Sequence, residues 1–380
     1  MNIPIERLTL IDEEIATKIQ AQRTQLNEFP EANKLEPGVV LVKASEMKPR
    51  PINWIWDGWL ASGKIHLIGG IAGTGKTTIS LAIASCITNG EKLPDGTIPE
   101  TGEIVMWTGE DDPEDTLTPR LMAMNADLNK VHFVRGYSDG NKERPFNPST
   151  NMVQLEEKLK SLKNIKLLII DPIVAVVAND SHNNGDVRQS FAPLIQMAEK
   201  LKFAVLGITH LTKSTSGKEP IERITGSLAF GALARVVLFT SKCKNSEGDD
   251  IRIFLRAKSN IGSDQGGFEY ELESSTTQDG IATSKVVWGD VIEGSARELL
   301  NRAENDFEGG GLKECMKWLT ELLATGSIRS NEAEKEAINA GFSIATFRRA
   351  KEKLKVKSTK IGVGKLSFWE IDMPKALNRT

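Results

Sequence analysis

One short segment, residues 70–77, carries the residue types that bind the phosphates of a nucleotide. It reads Gly-Ile-Ala-Gly-Thr-Gly-Lys-Thr, follows an apolar run at 65–68 and opens a helical pattern at 76–89. In this context glycines let backbone N–H groups face the phosphates, and the helix N-terminus adds a favourable dipole. Lys76 can reach the β- and γ-phosphates, and the Thr77 hydroxyl can hold Mg²⁺. The segment therefore predicts a site for ATP and Mg²⁺, formed by Gly70, Ala72, Gly73, Thr74, Gly75, Lys76, Thr77 and Thr78.

Two acidic residues follow other apolar runs and could complete this site. Asp171 ends the run at 167–170, where a carboxylate is expected to hold the Mg²⁺ through water. The alternative is a turn or capping role for Asp171 before Pro172. Glu110 comes just past the run at 104–107, which we expect to lie beside the phosphate-loop strand, and it is the candidate to polarise the attacking water. The alternative is that Glu110 belongs with the acids that begin the next helix.

Two further polar residues have candidate roles at the transferred phosphate. The apolar run at 204–208 is followed by Thr209 and His210. His210 could sense the γ-phosphate by hydrogen bonding; the alternative is a histidine bonded to nearby backbone. Arg235 precedes the run at 236–239, and a rigidly placed arginine can neutralise charge in the transition state. Arg235 could instead be an ordinary surface cation.

These residues need a scaffold that brings them to one place. Continuous apolar runs of this kind are typical of buried parallel strands, and helical patterns separate several of them. The sequence therefore predicts an α/β fold with a mostly parallel sheet and helices on both faces. Strands are predicted at 65–68, 104–107, 131–134, 167–170, 204–208 and 236–239, and helices at 76–89, 114–126, 151–163 and 187–201. Three later strands, near 251–256, 268–272 and 285–288, are predicted to pair antiparallel at the sheet edge.

The distribution of charged residues and of glycine divides the rest of the chain into segments. Residues 311–380 hold 14 Lys and Arg against 8 Asp and Glu, a net of +6, whereas the remaining residues hold 34 against 43, a net of −9. Three helical segments and two strand-like segments in the basic part predict a winged helix–turn–helix. The predicted divisions are an N-terminal helix and extended arm at 1–50, a nucleotide-binding core at 51–292, a linker segment at 293–311 that begins as a helix and ends in glycines, and the winged helix–turn–helix at 312–380.

Cations in two polar loops and in the C-terminal unit are candidates for nucleic-acid contact. The loops span 179–188 and 213–223, and loops of this kind suit phosphate contact with single-stranded DNA, although ordinary solvent loops have the same composition. The second helix of a helix–turn–helix can enter the major groove of duplex DNA, or the unit can dock on protein instead. The candidates are Arg188, Lys213, Lys218 and Arg223 in the loops, and Arg348, Arg349, Lys351 and Lys353 in the C-terminal unit.

Taken together, the motifs over residues 50–290 resemble those of the RepA-type hexameric replicative helicases, which are relatives of the DnaB and KaiC group. The resemblance rests on five segments: 70–77, 107–111, 168–172, 208–210 and 226–235. It implies a RecA-like ATPase core in which Glu110 is the catalytic base and His210 a sensor. It also implies that Arg235 completes a neighbour's site in a ring of usually six subunits. Similar C-terminal tails occur in mobile-element primase–helicase proteins, so a separate primase is an implied partner.

Composition argues against membrane, secreted and disulfide-rich proteins, and two functions remain as alternatives to a plasmid or phage helicase. The chain has no run of about 20 apolar residues and no secretory signal, and its three cysteines lie far apart. We therefore expect a cytoplasmic protein without a membrane partner, disulfide framework or zinc site. The alternatives are an ATP-gated DNA-binding regulator or loader, and a RecA-like recombination or defence ATPase.

Overall fold

The computed structural model describes residues 39–211, 224, 228–244, 250–324, 326–342, 344–361 and 368–372. The chain divides into two compact units, Met1–Pro51 and Ile52–Thr380. In the described part of the first unit, residues 39–51, the only regular element is a 3₁₀ turn at Ala44–Glu46. No helix in the described ranges is both long enough and apolar enough to cross a bilayer.

A sheet of nine strands forms the centre of the second unit. Six parallel strands lie side by side, and across the sheet they follow the order Val236–Lys244, Ile65–Gly70, Ala204–His210, Ile165–Asp171, Glu103–Thr108 and Val131–Phe133. Their inner members are apolar and almost wholly buried, which explains why the sequence showed continuous apolar runs. In chain order these strands are β3 (Ile65–Gly70), β4 (Glu103–Thr108), β5 (Val131–Phe133), β8 (Ile165–Asp171), β9 (Ala204–His210) and β10 (Val236–Lys244).

Three long strands extend the sheet antiparallel beyond β10, which confirms the predicted edge. They are β11 (Asp250–Ser259), β12 (Gln265–Thr276) and β13 (Ala282–Ser295). Small hairpins flank the sheet: β1 (Trp54–Trp56) pairs with β2 (Leu60–Ala61), and β6 (Gly136–Ser138) pairs with β7 (Glu143–Pro145).

Helices cover both faces of this sheet, as the sequence predicted. One face packs against α1 (Lys76–Asn89), α2 (Thr118–Ala123) and the β1–β2 hairpin, whose Trp56 and Trp59 stack with ring centroids 4.7 Å apart. The other face packs against α3 (Met152–Leu159), α4 (Asn184–Leu201), α5 (Leu228–Leu233) and the start of α6 (Ala296–Ala324). Trp56 and Trp59 are therefore core residues.

The C-terminal residues have a hydrophobic cluster of their own. The last part of α6 packs there with α7 (Ser330–Asn339) and α8 (Ile344–Lys353). A three-stranded antiparallel sheet completes the cluster, in the order β14 (Ile328–Arg329), β16 (Phe368–Asp372) and β15 (Lys357–Ile361). Three helices and a hairpin follow one another as the sequence predicted; β14 was not predicted, because two residues give no periodicity to detect.

Three local predictions were wrong. The helix predicted in 293–311 does not end in a linker at the glycines, because α6 continues through residues 309–311 despite the low helix propensity of glycine. Strand β4 does not lie beside β3, since β9 and β8 separate them. Helix α4 begins at Asn184 and not at 187, because the Asn183 side chain accepts hydrogen bonds from two backbone N–H groups of its first turn.

Candidate nucleotide site

The loop between β3 and α1 has the backbone geometry that a phosphate site requires. Gly75 precedes the helix with φ at 84°, in the left-handed region that favours glycine. A Cβ atom there would also lie 2.7 Å from the Leu272 side chain. Both features favour a residue without a side chain at position 75, where the loop turns into α1.

A hydrogen-bonded network beneath the loop ties it to two neighbouring strands. The Tyr270 hydroxyl on β12 donates to the backbone carbonyl of Thr74 at 2.5 Å, and the hydroxyls of Thr74 and Thr240 lie 2.7 Å apart. Thr240 on β10 also lies so close to Gly70 that a Cβ there would be 2.7 Å from the Thr240 carbonyl oxygen. All four residues are buried, so this network fixes the loop from below.

The predicted magnesium ligands are in contact. The Thr77 hydroxyl donates to Oδ2 of Asp171 at 2.8 Å, while Oδ1 of Asp171 is buried without a partner. Burial, assisted by the nearby charges of Glu110 and Asp111, raises the pKa of Asp171 to about 6. A bound cation would offset both the burial and the repulsion between carboxylates.

The donor set fits Mg²⁺ because this ion prefers oxygen ligands and usually takes one or two carboxylates together with substrate phosphates. Thr77 and Asp171 supply a hydroxyl and a carboxylate. Within the described ranges no group of three or more His, Cys, Asp or Glu residues could hold a metal without such help. The site therefore fits a magnesium ion that binds together with a nucleotide.

Lys76, His210 and Glu110 form a short chain across the mouth of the loop. The Lys76 ammonium donates to the carbonyl oxygens of Gly70 at 3.1 Å and Ile71 at 3.2 Å, and it lies 3.4 Å from Nδ1 of His210. On the other side of the ring, Nε2 of His210 lies 3.6 Å from a carboxylate oxygen of Glu110. Burial lowers the pKa of Lys76, against the attraction of Asp171 and Glu110. The predicted sensor and base therefore lie together at the phosphate end of the site.

Neighbouring acids have the capping role that was the alternative for Glu110. Asp112 accepts hydrogen bonds from the backbone N–H groups of Glu114 and Asp115, and Asp111 forms an ion pair with Arg120 at 3.1 Å. The Glu110 side chain makes neither contact and remains about half exposed in the cleft. It is therefore free for a role at the nucleotide.

The cleft around these residues holds about 310 Å³. Leu272 on β12 and Ser284 on β13 form part of its wall. Sequence reasoning missed both, as well as Tyr270 and Thr240, because only the pairing of β10 to β13 brings these strands to the loop. A larger cavity of about 550 Å³ lies near β5 and α3, but it contains none of the predicted nucleotide-binding residues.

Arg235 lies at the opposite end of the sheet. Its backbone N–H donates to the carbonyl of Ile65, the first residue of β3, whereas the phosphate loop follows Gly70, the last residue of that strand. At about 3.3 Å per residue the strand separates them by about 17 Å. The Arg235 side chain is exposed, and nearby Lys258 donates to the carbonyls of Gly231 and Ala234 at the end of α5. Arg235 is therefore far from the phosphate loop of the same chain.

The predicted DNA contacts are only partly within the described residues. Lys213, Lys218 and Arg223 lie outside them, and Arg188 is exposed on α4 rather than in a loop. In the C-terminal unit, Arg348, Arg349 and Lys353 on α8 are exposed, with Arg348 at 3.9 Å from Glu334. Lys351 is partly buried: its ammonium lies 5.6 Å from the centre of the Phe347 ring and 3.4 Å from the Ser330 hydroxyl.

Comparison with known protein families agrees with this geometry. Residues 30–216 match the family model described as an AAA domain. No curated protein sequence matches the chain. The matched range contains the phosphate loop, Glu110, Asp171 and His210, and it ends before Arg235 and the C-terminal unit. The match and the mostly parallel sheet both fit a P-loop ATPase domain of the AAA kind with a RecA-like α/β fold.

Proposed function

We propose that the chain is the subunit of a ring-forming, ATP-driven DNA helicase of RepA type, acting in the replication of a plasmid, phage or other mobile element. The observation that carries this proposal is the separation of Arg235 from the phosphate loop. An exposed arginine about 17 Å from its own site can complete a nucleotide site only in a neighbouring subunit. Repeated head-to-tail contacts of this kind close into a ring when the rotation allows it.

The exposed arm before the core supports assembly. Val39, Val40, Leu41 and Val42 are consecutive apolar residues, and the least exposed of them, Val42, is still 52% exposed. A contiguous apolar surface of this kind is typical of protein–protein contact. The proposal is that such a contact joins subunits of the ring.

Within each site the residues of one subunit would have separate roles in binding and hydrolysis. The loop backbone and Lys76 hold the phosphates, while Thr77 and Asp171 hold Mg²⁺. The ion, when bound, neutralises charge that develops on the phosphates. Glu110 orients and deprotonates the attacking water. His210 lies between Lys76 and Glu110, so a change in its contacts when the γ-phosphate binds would directly change the position of the base. Arg235 of the neighbour would stabilise the transition state.

Hydrolysis and strand separation together test the proposal. We expect ATPase turnover that rises with single-stranded DNA, and displacement of the shorter strand of a forked duplex in the presence of ATP. Lys76→Ala is the matched control, since it removes the phosphate contact and leaves every DNA candidate intact. Turnover that ignores single-stranded DNA, with no displacement above that of Lys76→Ala, would refute the helicase assignment.

The exposed cations of α8 favour the regulator or loader as a second candidate. That function requires tight, sequence-dependent binding of duplex DNA with little sustained turnover. Equal, salt-sensitive binding to all duplexes would exclude it, because phosphate contacts alone carry no sequence information.

A further inference from the structure

One aromatic residue of the C-terminal unit has an unusual environment. The chain has seven tryptophans, all within the described residues, and only Trp369 on β16 is exposed, with 54% of its surface accessible. The others are buried or half-buried, for example in the stack of Trp56 on Trp59. Tryptophan is enriched at interaction surfaces because its ring offers a large apolar contact area together with a polar edge, so the exposed Trp369 marks a candidate binding surface.

The position of Trp369 follows from the register of the hairpin. Trp369 lies directly opposite Lys360, and Ser358 lies opposite Ile371. Because residues two apart on a strand share a face, Trp369 and Lys360 are on the same face as Ile371. Ile371 is fully buried against the three helices of the unit, whereas Trp369, nearer the hairpin tip, is not covered by them.

The surroundings of Trp369 are positively charged. All five residues of β15 are exposed, and two of them, Lys357 and Lys360, are lysines. Residues 344–361 and 368–372 contain seven Lys and Arg, against three Asp and Glu. An apolar or basic partner would not be matched to this positive balance, whereas a polyanion would be.

We infer that Trp369 and Lys360 form a binding site for an unpaired nucleotide of a DNA strand. The indole ring stacks on the base, and the Lys360 ammonium contacts an adjacent phosphate. Stacking of this kind tolerates every base, because each base has an aromatic face. Paired bases inside a duplex are already stacked on both sides, so the site selects single-stranded DNA over duplex DNA. This inference rests on the proposed action of the chain on DNA, and it assigns one specific site to that action.

Two probes separate stacking from simple charge attraction. The first is a fluorescent deoxythymidine oligonucleotide of about 15 nucleotides, and the second is an abasic phosphodiester strand of equal length. Binding of the full chain is measured by anisotropy without ATP. Trp369→Ala is expected to weaken binding of the first probe about 5- to 150-fold and of the abasic probe by less than about twofold. Trp369→Phe keeps an aromatic ring and is expected to retain most of the binding.

Two further variants provide controls on the same hairpin. Ile361 is 38% exposed and lies on the opposite face from Lys360, so Ile361→Ala is expected to bind both probes like the unmodified chain. Lys360→Gln should weaken binding of both probes and reduce the salt slope by about 0.7. Because the exposed side chains are not part of the core, all of these variants are expected to fold.

The outcomes distinguish failure of the inference from failure of the proposed function. If Trp369→Ala binds deoxythymidine normally, or loses the abasic strand equally, base stacking at Trp369 is refuted, including the case in which Trp369 contacts protein. DNA-stimulated ATPase activity and strand displacement in that variant would then show that the proposed function holds without a stacking site at Trp369. If the unmodified chain binds neither probe and displaces no strand, both proposals fail.

Discussion

A buried histidine on the phosphate-loop strand gives a quantitative prediction about pH. His66 is fully buried on β3. Its Nδ1–H donates to the Val205 carbonyl at 3.1 Å, and its Nε2 accepts the Ala61 N–H at 2.9 Å. Both contacts suit the neutral ring, since a second ring proton would face the Ala61 N–H. Burial is the main reason that the pKa of His66 falls from 6.5 to about 4.

The sign and size of the stability effect follow from this pKa. Below pH 6.5 the unfolded chain binds a proton at His66, whereas the folded chain does not bind one until about pH 4. Stability therefore falls as the pH falls through this window, and the effect levels off below it. At about 1.36 kcal/mol per pKa unit, acidification from about pH 7.5 to 5 costs about 2 kcal/mol, and the limiting cost is about 3 kcal/mol.

The assay compares the unmodified chain with His66→Gln, which has no charge to gain. Urea unfolding of the ATPase core is followed at both pH values, and only the change with pH is compared, because the substitution alters packing as well. The unmodified chain should lose about 2 kcal/mol more than the variant. Equal losses would refute the reasoning, as would a nitrogen NMR spectrum of labelled histidines that shows His66 cationic at about pH 5.

Three other predictions concern the nucleotide site. Tyr270→Phe removes the donor to the buried Thr74 carbonyl and should weaken ATP binding about 5- to 10-fold, with a smaller effect on the maximal rate; Tyr137→Phe is the matched control, and equal KM values would contradict the role of the network. Glu110→Gln should retain ATP binding while turnover falls about 10²- to 10⁴-fold, and normal hydrolysis would show that another group is the base. Gly70→Ala would place a Cβ 2.7 Å from the Thr240 carbonyl oxygen and should lower both thermal stability and ATP affinity, so an unchanged melting temperature would contradict the close packing.

Much of the site could be predicted because its chemistry is local in the chain. Lys76 and Thr77 come soon after β3 and Asp171 is the last residue of β8, and the carboxyl ends of parallel strands meet at one edge of a sheet. Glu110 reaches this edge even though its strand is not the neighbour of β3. The prediction therefore placed Glu110 at the correct edge of the sheet but assumed the wrong strand order. Short apolar runs identify strands but do not determine which strands are neighbours.

The parts that the sequence did not reveal depend on contacts between distant segments. Tyr270 and Thr74 are 196 residues apart, and their hydrogen bond exists only because three antiparallel strands extend the sheet beyond β10. The helical path through residues 309–311 could not be predicted either, because the local propensity of glycine opposes it. In both cases contacts between distant parts of the chain determine the structure, and the local sequence pattern does not.

The central claim, that each nucleotide site is shared between subunits, is tested by mixing two inactive variants. Lys76→Ala lacks the phosphate contact and Arg235→Ala lacks the arginine offered to the neighbour, so each should be inactive as a pure ring. After subunit exchange in equal amounts, about one quarter of the interfaces combine an intact loop with an intact arginine. We therefore predict recovery of about one quarter of the basal ATPase turnover.

The matched control mixes Lys76→Ala with Glu110→Gln, whose defects lie in the same half of the site. No interface in that mixture is complete, so turnover should stay at the level of the separate variants. Recovery in the first mixture and none in the second is the predicted result. No recovery in the first mixture, or full activity of pure Arg235→Ala, would contradict the shared site.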